Sequence, residues 1–216
     1  MALYTVSSAI TKVKILIEEA NDTNVVTQDE LIELASEAQK WVAAESGCYQ
    51  AWDAVTLLAN TIRYTPPTGA NSILTVDYNY GGDIGFRTLQ EVDPNAVPHP
   101  GDVSKPYFWY YRGEKLCIYP AMPSVPSVSS VNVLITKIPA SLTALTDSLV
   151  IPDDYQIVVP YHMAKEVAIK DNQPAKIAIL NQEIMRYTKE GIASYAKKGT
   201  VGLSATGPVG TPGGAV

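Results

Sequence analysis

Two histidines and two cysteines are the residues of this chain whose types most often do chemistry. His99 stands between two prolines in a polar stretch, and His162 falls within a helical pattern. Cys48 and Cys117 lie far apart, in predicted elements of different type. A structural zinc site needs a spaced set of four ligands, which these residues do not supply. We therefore expect no metal, no cofactor and no disulfide, and we expect buried free thiols.

Two pairs of adjacent carboxylates and one glycine-rich run are the remaining candidates for catalysis. Glu18 and Glu19 close one helical pattern, whereas Asp153 and Asp154 open another. Adjacent residues of a helix point in different directions, and acids at a helix N-terminus favour its dipole, so both pairs are interpreted as structural. The Gly-rich run at residues 81–85 lacks the lysine and the following helix of a phosphate loop, so it predicts a hairpin turn. We therefore predict that the chain is not an enzyme.

A row of aromatic residues from Tyr107 to Tyr111 predicts a β-strand. Because side chains alternate along a strand, Trp109 shares one face with the two outer members of the row. Exposed aromatic rows bind sugars or stack on nucleobases, although packing in a core or an interface is the more common role. Only Arg112 and Lys115 are basic neighbours, which disfavours binding of single-stranded nucleic acid.

The aromatic strand belongs to a predicted small antiparallel β region at residues 67–149. The turn at residues 112–114 contains a glycine, and a second strand returns from Leu116 to Tyr119, which together predict a β-hairpin. The β-forming composition of three other segments predicts further strands, to a total of four to six. These segments are residues 72–80, 86–92 and 131–136.

Both ends of the chain carry helical patterns, at residues 1–66 and 150–198. Residues 27–30 have the capping-box composition Thr-Gln-Asp-Glu, which predicts the start of a helix. Apolar residues at helical intervals predict a further helix from about Cys48 to Ile62. The last helix carries an apolar stripe that we expect to be buried against the N-terminal helices. This stripe contains Ile177, Leu180 and Ile184.

Composition and charge narrow the function classes. The formal net charge is −6, which disfavours non-specific binding to nucleic acid. The charge is uneven: residues 1–160 contain 9 Lys/Arg and 18 Asp/Glu (net −9), and residues 161–216 contain 7 and 4 (net +3). No secretory signal or membrane span is visible, so we expect a soluble intracellular product. Residues 199–216 carry no charge and 6 of the 14 glycines, which predicts a flexible tail or an arm that orders on a partner.

The order of these elements resembles that of the head-to-tail adaptor (connector) proteins of tailed bacteriophages, particularly those of short-tailed phages. The hairpin from Tyr110 to Pro120 and the helix start from Ile151 to Tyr155 carry the resemblance. It implies a structural virion protein that forms a ring, expected to contain twelve copies, beneath the portal at the head-tail interface. Tail or nozzle proteins would bind below the ring, and genomic DNA would pass through its lumen without sequence-specific binding.

The resemblance also implies an α+β fold in which a helical bundle from both chain ends carries an inserted small antiparallel β region and a flexible C-terminal arm. In such adaptors the C-terminal segment lies against the portal, so the apolar residues of the tail are the predicted portal-binding residues. These residues are Val201, Leu203, Val209 and Val216. One alternative function is a carbohydrate-binding β-module on a helical stalk that uses Trp109. A weaker alternative is a cell-wall-cleaving hydrolase that uses a carboxylate pair.

Overall fold

The computed structural model describes residues 4–17, 26–79, 85–97, 105–124 and 130–202, with side chains described as far as residue 194. Helices occur towards both ends and two small sheets lie between them, so the predicted α+β class is confirmed. The helices are α1 (Val6–Leu16), α2 (Gln28–Ser46), α3 (Asp153–Gln156), α4 (Val158–Lys170) and α5 (Pro174–Gly202). The strands are β1 (Gln50–Thr56), β2 (Arg63–Tyr64), β3 (Ala70–Asn79), β4 (Phe86–Thr88), β5 (Gln90–Glu91), β6 (Phe108–Arg112), β7 (Lys115–Tyr119) and β8 (Ser130–Lys137).

The chain divides into two compact units. The first, the helical unit, combines Met1–Val42 with Ser141–Val216, and the second, the β unit, is Ala43–Ala140. The predicted division of the chain at residues 66 and 150 therefore differs from the observed division at residues 42 and 140. The difference at the first boundary arises because β1 and β2 occupy residues that were predicted to be helical.

The first two helices start with reciprocal capping hydrogen bonds. At α1 the N–H of Ser8 donates to Thr5 Oγ1 (3.2 Å), and the N–H of Thr5 donates to Ser8 Oγ (2.9 Å). At α2 the predicted capping box is confirmed: the N–H of Thr27 donates to Glu30 Oε2 (2.8 Å), and the N–H of Glu30 donates to Thr27 Oγ1 (3.3 Å). These bonds satisfy backbone N–H groups that a helix start leaves without partners.

The return to helix after the β unit is set by prolines. Pro152 is the N-cap of α3, and Asp153 and Asp154 follow in its first turn, where negative charge favours the helix dipole. The helix is interrupted at Ile157, and α4 begins at the next residue. Pro160 therefore lies in the first turn of α4, where its missing N–H removes no hydrogen bond within that helix.

The fourth helix is central in the helical unit. It is buried over most of its circumference, and α1, α3 and α5 pack on it. Leu180 and Ile184 of α5 are buried, as predicted, whereas Ile177 is half-buried. Their helix packs mainly on α3 and α4, which come from the C-terminal part of the chain, so the expectation that it would pack chiefly on the N-terminal helices is wrong.

The β unit contains two four-stranded sheets that share one core. The first has the order β1-β8-β3-β4 and is antiparallel, and the second has the order β2-β7-β6-β5. In the second sheet β5 pairs with β6 in the parallel direction, which the prediction of an antiparallel region did not include. Apolar residues of both sheets form the core, including Val76, Trp109, Leu116, Ile118, Val133 and Ile135.

The predicted hairpin is confirmed and the helix predicted from Cys48 to Ile62 is wrong. In the hairpin Arg112 pairs with Lys115, and both intervening residues, Gly113 and Glu114, have φ of +58°. Two positive φ angles define the type of two-residue turn that matches the twist of paired strands. By contrast, β1 begins at Gln50 and pairs along its length with β8.

Candidate interaction surfaces

The candidate chemical residues do not come together in the part of the chain that the structure describes. Cys48 and Cys117 are both buried free thiols, as expected. His162 lies on α4, nine-tenths buried, with its ring 4.7 Å from the ring of Trp41 on α2. His99 lies outside the described residues. Among the residues described, no group of three His, Cys, Asp or Glu is placed to hold a metal ion.

The environment of His162 holds the imidazole neutral. Burial is the main cause and the nearby Lys165 adds to it, so the pKa of His162 is lowered to about 4, although Glu166 acts in the opposite direction. Among the described residues, its buried Nδ1 has no hydrogen-bond partner. A neutral, enclosed imidazole of this kind is poorly placed to exchange protons with a substrate.

The carboxylate pairs also have structural surroundings where they are described. Asp153 Oδ1 accepts a hydrogen bond from Gln156 Nε2 (3.3 Å) within the first turns of α3. Gln156 Nε2 also donates to the carbonyl of Ile151 (2.9 Å), so this amide links the first turn of α3 to the residue before its N-cap. Glu18 and Glu19 lie outside the described residues, as do most residues of the Gly-rich run.

Trp109 is a core residue. Its side chain is 2% exposed and belongs to the core that the two sheets share. The ring cannot stack on a sugar from that position, which removes the anchor of the carbohydrate-binding alternative. Tyr111 lies near the turn on the same face of the strand as Trp109 and is exposed. Tyr110 lies on the other face, where it is half-buried and pairs with Cys117. Burial is the first cause of the raised pKa of Tyr110, and Cys117 adds to it.

The fifth helix continues beyond its close approach to α3. A Cβ atom added at Gly191 would lie 2.9 Å from the Tyr155 ring of α3, so α5 and α3 approach closely at this point. After Gly191 the helix continues through residues 192–202, a length of about 16 Å at 1.5 Å per residue. Ile192, the first of these residues, is 46% exposed. The end of α5, residues 192–202, therefore begins with an exposed apolar side chain.

The predicted portal-binding residues lie at the end of α5 and beyond it. Val201 lies in the last turn of α5, and its side chain is not among those described. Leu203, Val209 and Val216 lie outside the described residues. The structure thus places the start of the predicted arm at the end of a long helix.

Two exposed faces of the helical unit were not identified from the sequence. One is on α2, where Asp29, Glu33 and Glu37 are exposed and Trp41 follows at the same spacing with 37% of its surface exposed. The other is on α5, where large apolar residues are exposed. They are Ile179, Met185 and Ile192. The four-residue spacing on α2 is visible in the sequence, but the exposure of Trp41 depends on how α2 packs.

Comparison with known protein families supplies the class of the protein. The chain matches a family of phage adaptor proteins, and the match extends over residues 4–208, nearly its whole length. The chain belongs to the SU10 adaptor protein family. This assignment confirms the resemblance to head-to-tail adaptors. None of the curated proteins compared with the chain matches it. Among the described residues, no helix is long and apolar enough to cross a membrane.

Proposed function

We propose that this protein is the structural head-to-tail adaptor of a tailed bacteriophage virion, and that its copies form a ring, expected to be a dodecamer, beneath the portal. Tail or nozzle proteins bind to the opposite side of the ring. The observation that carries the proposal is the match to the adaptor family over residues 4–208. The protein acts by binding other proteins, and it has no catalytic role and no cofactor.

The end of α5 and the arm that follows it bind the portal. Support comes from the end of α5, which continues through residues 192–202 after the close approach to α3 at Gly191. The arm is uncharged and rich in glycine, so it has few apolar groups with which to fold on itself. Its anchors are the apolar residues Val201, Leu203, Val209 and Val216.

The acidic composition suits a ring through which DNA passes. With a net charge of −6, the chain has no overall attraction for phosphate groups. Proteins that hold DNA use arginine and lysine to neutralise phosphates, and this chain has 16 such residues against 22 acids. Genomic DNA therefore passes the ring without sequence-specific binding.

The portal contact is tested by removing the arm. A protein shortened after Gly202 retains all of α5, so we expect unchanged circular dichroism and an unchanged melting temperature. We expect its affinity for purified portal, measured by biolayer interferometry, to fall at least about tenfold, which corresponds to about 1.4 kcal/mol.

A point variant and its control separate the apolar anchors from the length of the arm. Serine at Leu203 and Val209 removes two anchors, and we expect weaker portal binding. Alanine at Ser204 and Thr211 changes the same segment without removing an anchor and should leave the affinity unchanged. Full affinity in the shortened protein would rule out the arm as the portal contact.

A further inference from the structure

The outward face of α2 carries charge without a partner. Asp29, Glu33 and Glu37 are exposed and recur every four residues, which places them in one row along the helix. The ion pairs described for the helical unit include none of the three. Like charges one turn apart repel each other, so a cation that approaches this row stabilises it. Trp41 continues the row and is partly exposed.

The outward face of α5 has complementary properties. Met185 and Ile192 stand seven residues apart, are 59% and 46% exposed, and lie on one side of the helix. Lys189 lies between them, exposed and in none of the ion pairs described. The neighbouring Arg186 is already engaged with Glu183 and Glu190. Lys189 is thus a free cation within an apolar row.

The second helix runs antiparallel to α4. Near its start Glu30 Oε1 accepts from Lys170 Nζ at the end of α4 (3.1 Å), and near its end Trp41 lies against His162 near the start of α4. The pKa of Glu30 is lowered, first by the N–H of Thr27 and then by Lys170. These contacts fix the direction of α2 and place Glu30 and Trp41 next to α4. The three acids of the row are exposed.

The fifth helix lies on another side of α4 and is also antiparallel to it. Tyr187 of α5 lies 5.1 Å, ring to ring, from Tyr161 near the start of α4. At about 100° per residue, Tyr161 lies on the side of α4 opposite to Lys170. The faces of α2 and α5 are therefore on different flanks of the helical unit, and the two helices run in the same direction.

We propose that the outward face of α2 in one copy docks on the outward face of α5 in the next copy. This interface rests on the proposed ring, and it assigns the surfaces that build it. In a ring of many copies the rotation between neighbours is small, so helices that are parallel within one copy stay nearly parallel across the contact. In that direction Glu37 meets Lys189, and Trp41, one turn further on, meets Ile192.

The composition of the two faces suits such a contact. Tryptophan and methionine are enriched where protein interfaces are fully buried, and charged pairs occur towards their rims. Because one flank is acidic and the other carries the free lysine, the contact is head-to-tail, and such a contact forms a ring where the rotation between neighbours closes. The charge pair selects the register, since a shifted register would bring acids to the apolar row.

Charge reversal tests the contact. We expect Glu37→Lys and Lys189→Glu each to raise the concentration at which the oligomer dissociates by about tenfold, measured by mass photometry. The double variant restores opposite charges and should recover most of the loss. Glu91→Lys makes the same charge change at an exposed position of the β unit and should leave association unchanged.

Cross-linking tests the register of the contact between α2 and α5. The native thiols at Cys48 and Cys117 are buried, so the protein with Glu37→Cys and Lys189→Cys should form disulfide-linked ladders on mild oxidation. A protein with Lys14→Cys and Lys189→Cys should not, because Lys14 is exposed but lies outside the proposed contact. An oligomer that persists in both charge-reversal variants and gives no ladder overturns this interface, while portal binding by the arm still stands. A protein that stays monomeric at every concentration, both alone and in the presence of portal, overturns the interface and the ring together.

Discussion

The most unusual single residue is His162, a buried imidazole with one unpaired nitrogen. Its ring packs on Trp41, and no residue that the structure describes pairs with its Nδ1. An isolated buried polar atom is costly, and a buried charge is more so. The residue is therefore held neutral and acts in packing. In the sequence it was recognised as a helical residue, but its burial could not be predicted because that depends on α2, which lies far away in the chain.

The lowered pKa of His162 predicts a pH dependence of stability. The folded pKa is about 4 and the unfolded one about 6.5, so between these values the unfolded chain binds more protons and stability falls as pH falls. We expect this residue to cost on the order of 2–3 kcal/mol at pH 4 relative to pH 7. The free energy of unfolding, measured by urea titration, falls between pH 7 and pH 4, and this fall should be larger by that amount in the wild type than in His162→Leu. An equal fall in the free energy of unfolding of both proteins would contradict this role of His162.

Gly191 offers a second test at this scale. Alanine in a helix is ordinarily more favourable than glycine, but here the new Cβ would lie 2.9 Å from the buried Tyr155 ring and 3.1 Å from the carbonyl of Asp154. We expect Gly191→Ala to lower the free energy of unfolding by about 1–3 kcal/mol. Gln182→Ala on the exposed side of the same helix should change it by less than about 0.5 kcal/mol. A stabilised Gly191→Ala protein would show that α5 does not approach α3 closely.

Local signals in the sequence predicted the elements that local interactions specify. The capping box at Thr27 and the glycine of the aromatic hairpin both act within a few residues, and both predictions are confirmed. By contrast, Trp52 and Val55 in β1 fit a helical period as well as a strand. The partner of β1 is β8, about eighty residues further on, and this long-range pairing decides between them.

The exposed faces that form the candidate interfaces could not be predicted for a related reason. The apolar residues of α5 cover most of its circumference, so only its packing on α3 and α4 shows which of them remain exposed. Leu180 is buried, whereas Ile179 and Met185 are exposed. Sequence periodicity indicated the burial of Leu180 and Ile184 correctly, but it gave no reason to expect a second apolar row.

Two neighbouring residues test which face of α5 builds the core. Leu180 is 3% exposed and Ile179 is 61% exposed. We expect Leu180→Asp to place an unpaired charge in the core and to lower the free energy of unfolding by about 3–5 kcal/mol, or to give insoluble protein. Ile179→Asp, the matched control, should cost less than about 1 kcal/mol by the same urea titration. Similar losses in both variants would contradict the packing of α5.

At the scale of the molecule, the uneven charge along the chain can be compared with the positions of charged residues in the structure. Residues 1–160 have a net charge of −9 and residues 161–216 one of +3. The exposed acids of α2 belong to the first part and the free Lys189 of α5 to the second. Opposite charge on two flanks of one unit suits repeated contact between identical copies. The family match supports the same interpretation at the level of function, because an adaptor must bind other proteins.

The central claim is that copies of this protein form a ring attached to the portal. Electron microscopy of purified portal mixed with the full chain tests it most directly, with portal alone as the control. The account predicts a closed ring of additional density at one end of the portal, with a mass that corresponds to a whole number of chains, expected to be twelve. The same ring should be lost or poorly occupied when residues 203–216 are removed. Portal particles that remain unchanged in the presence of excess protein would contradict the account.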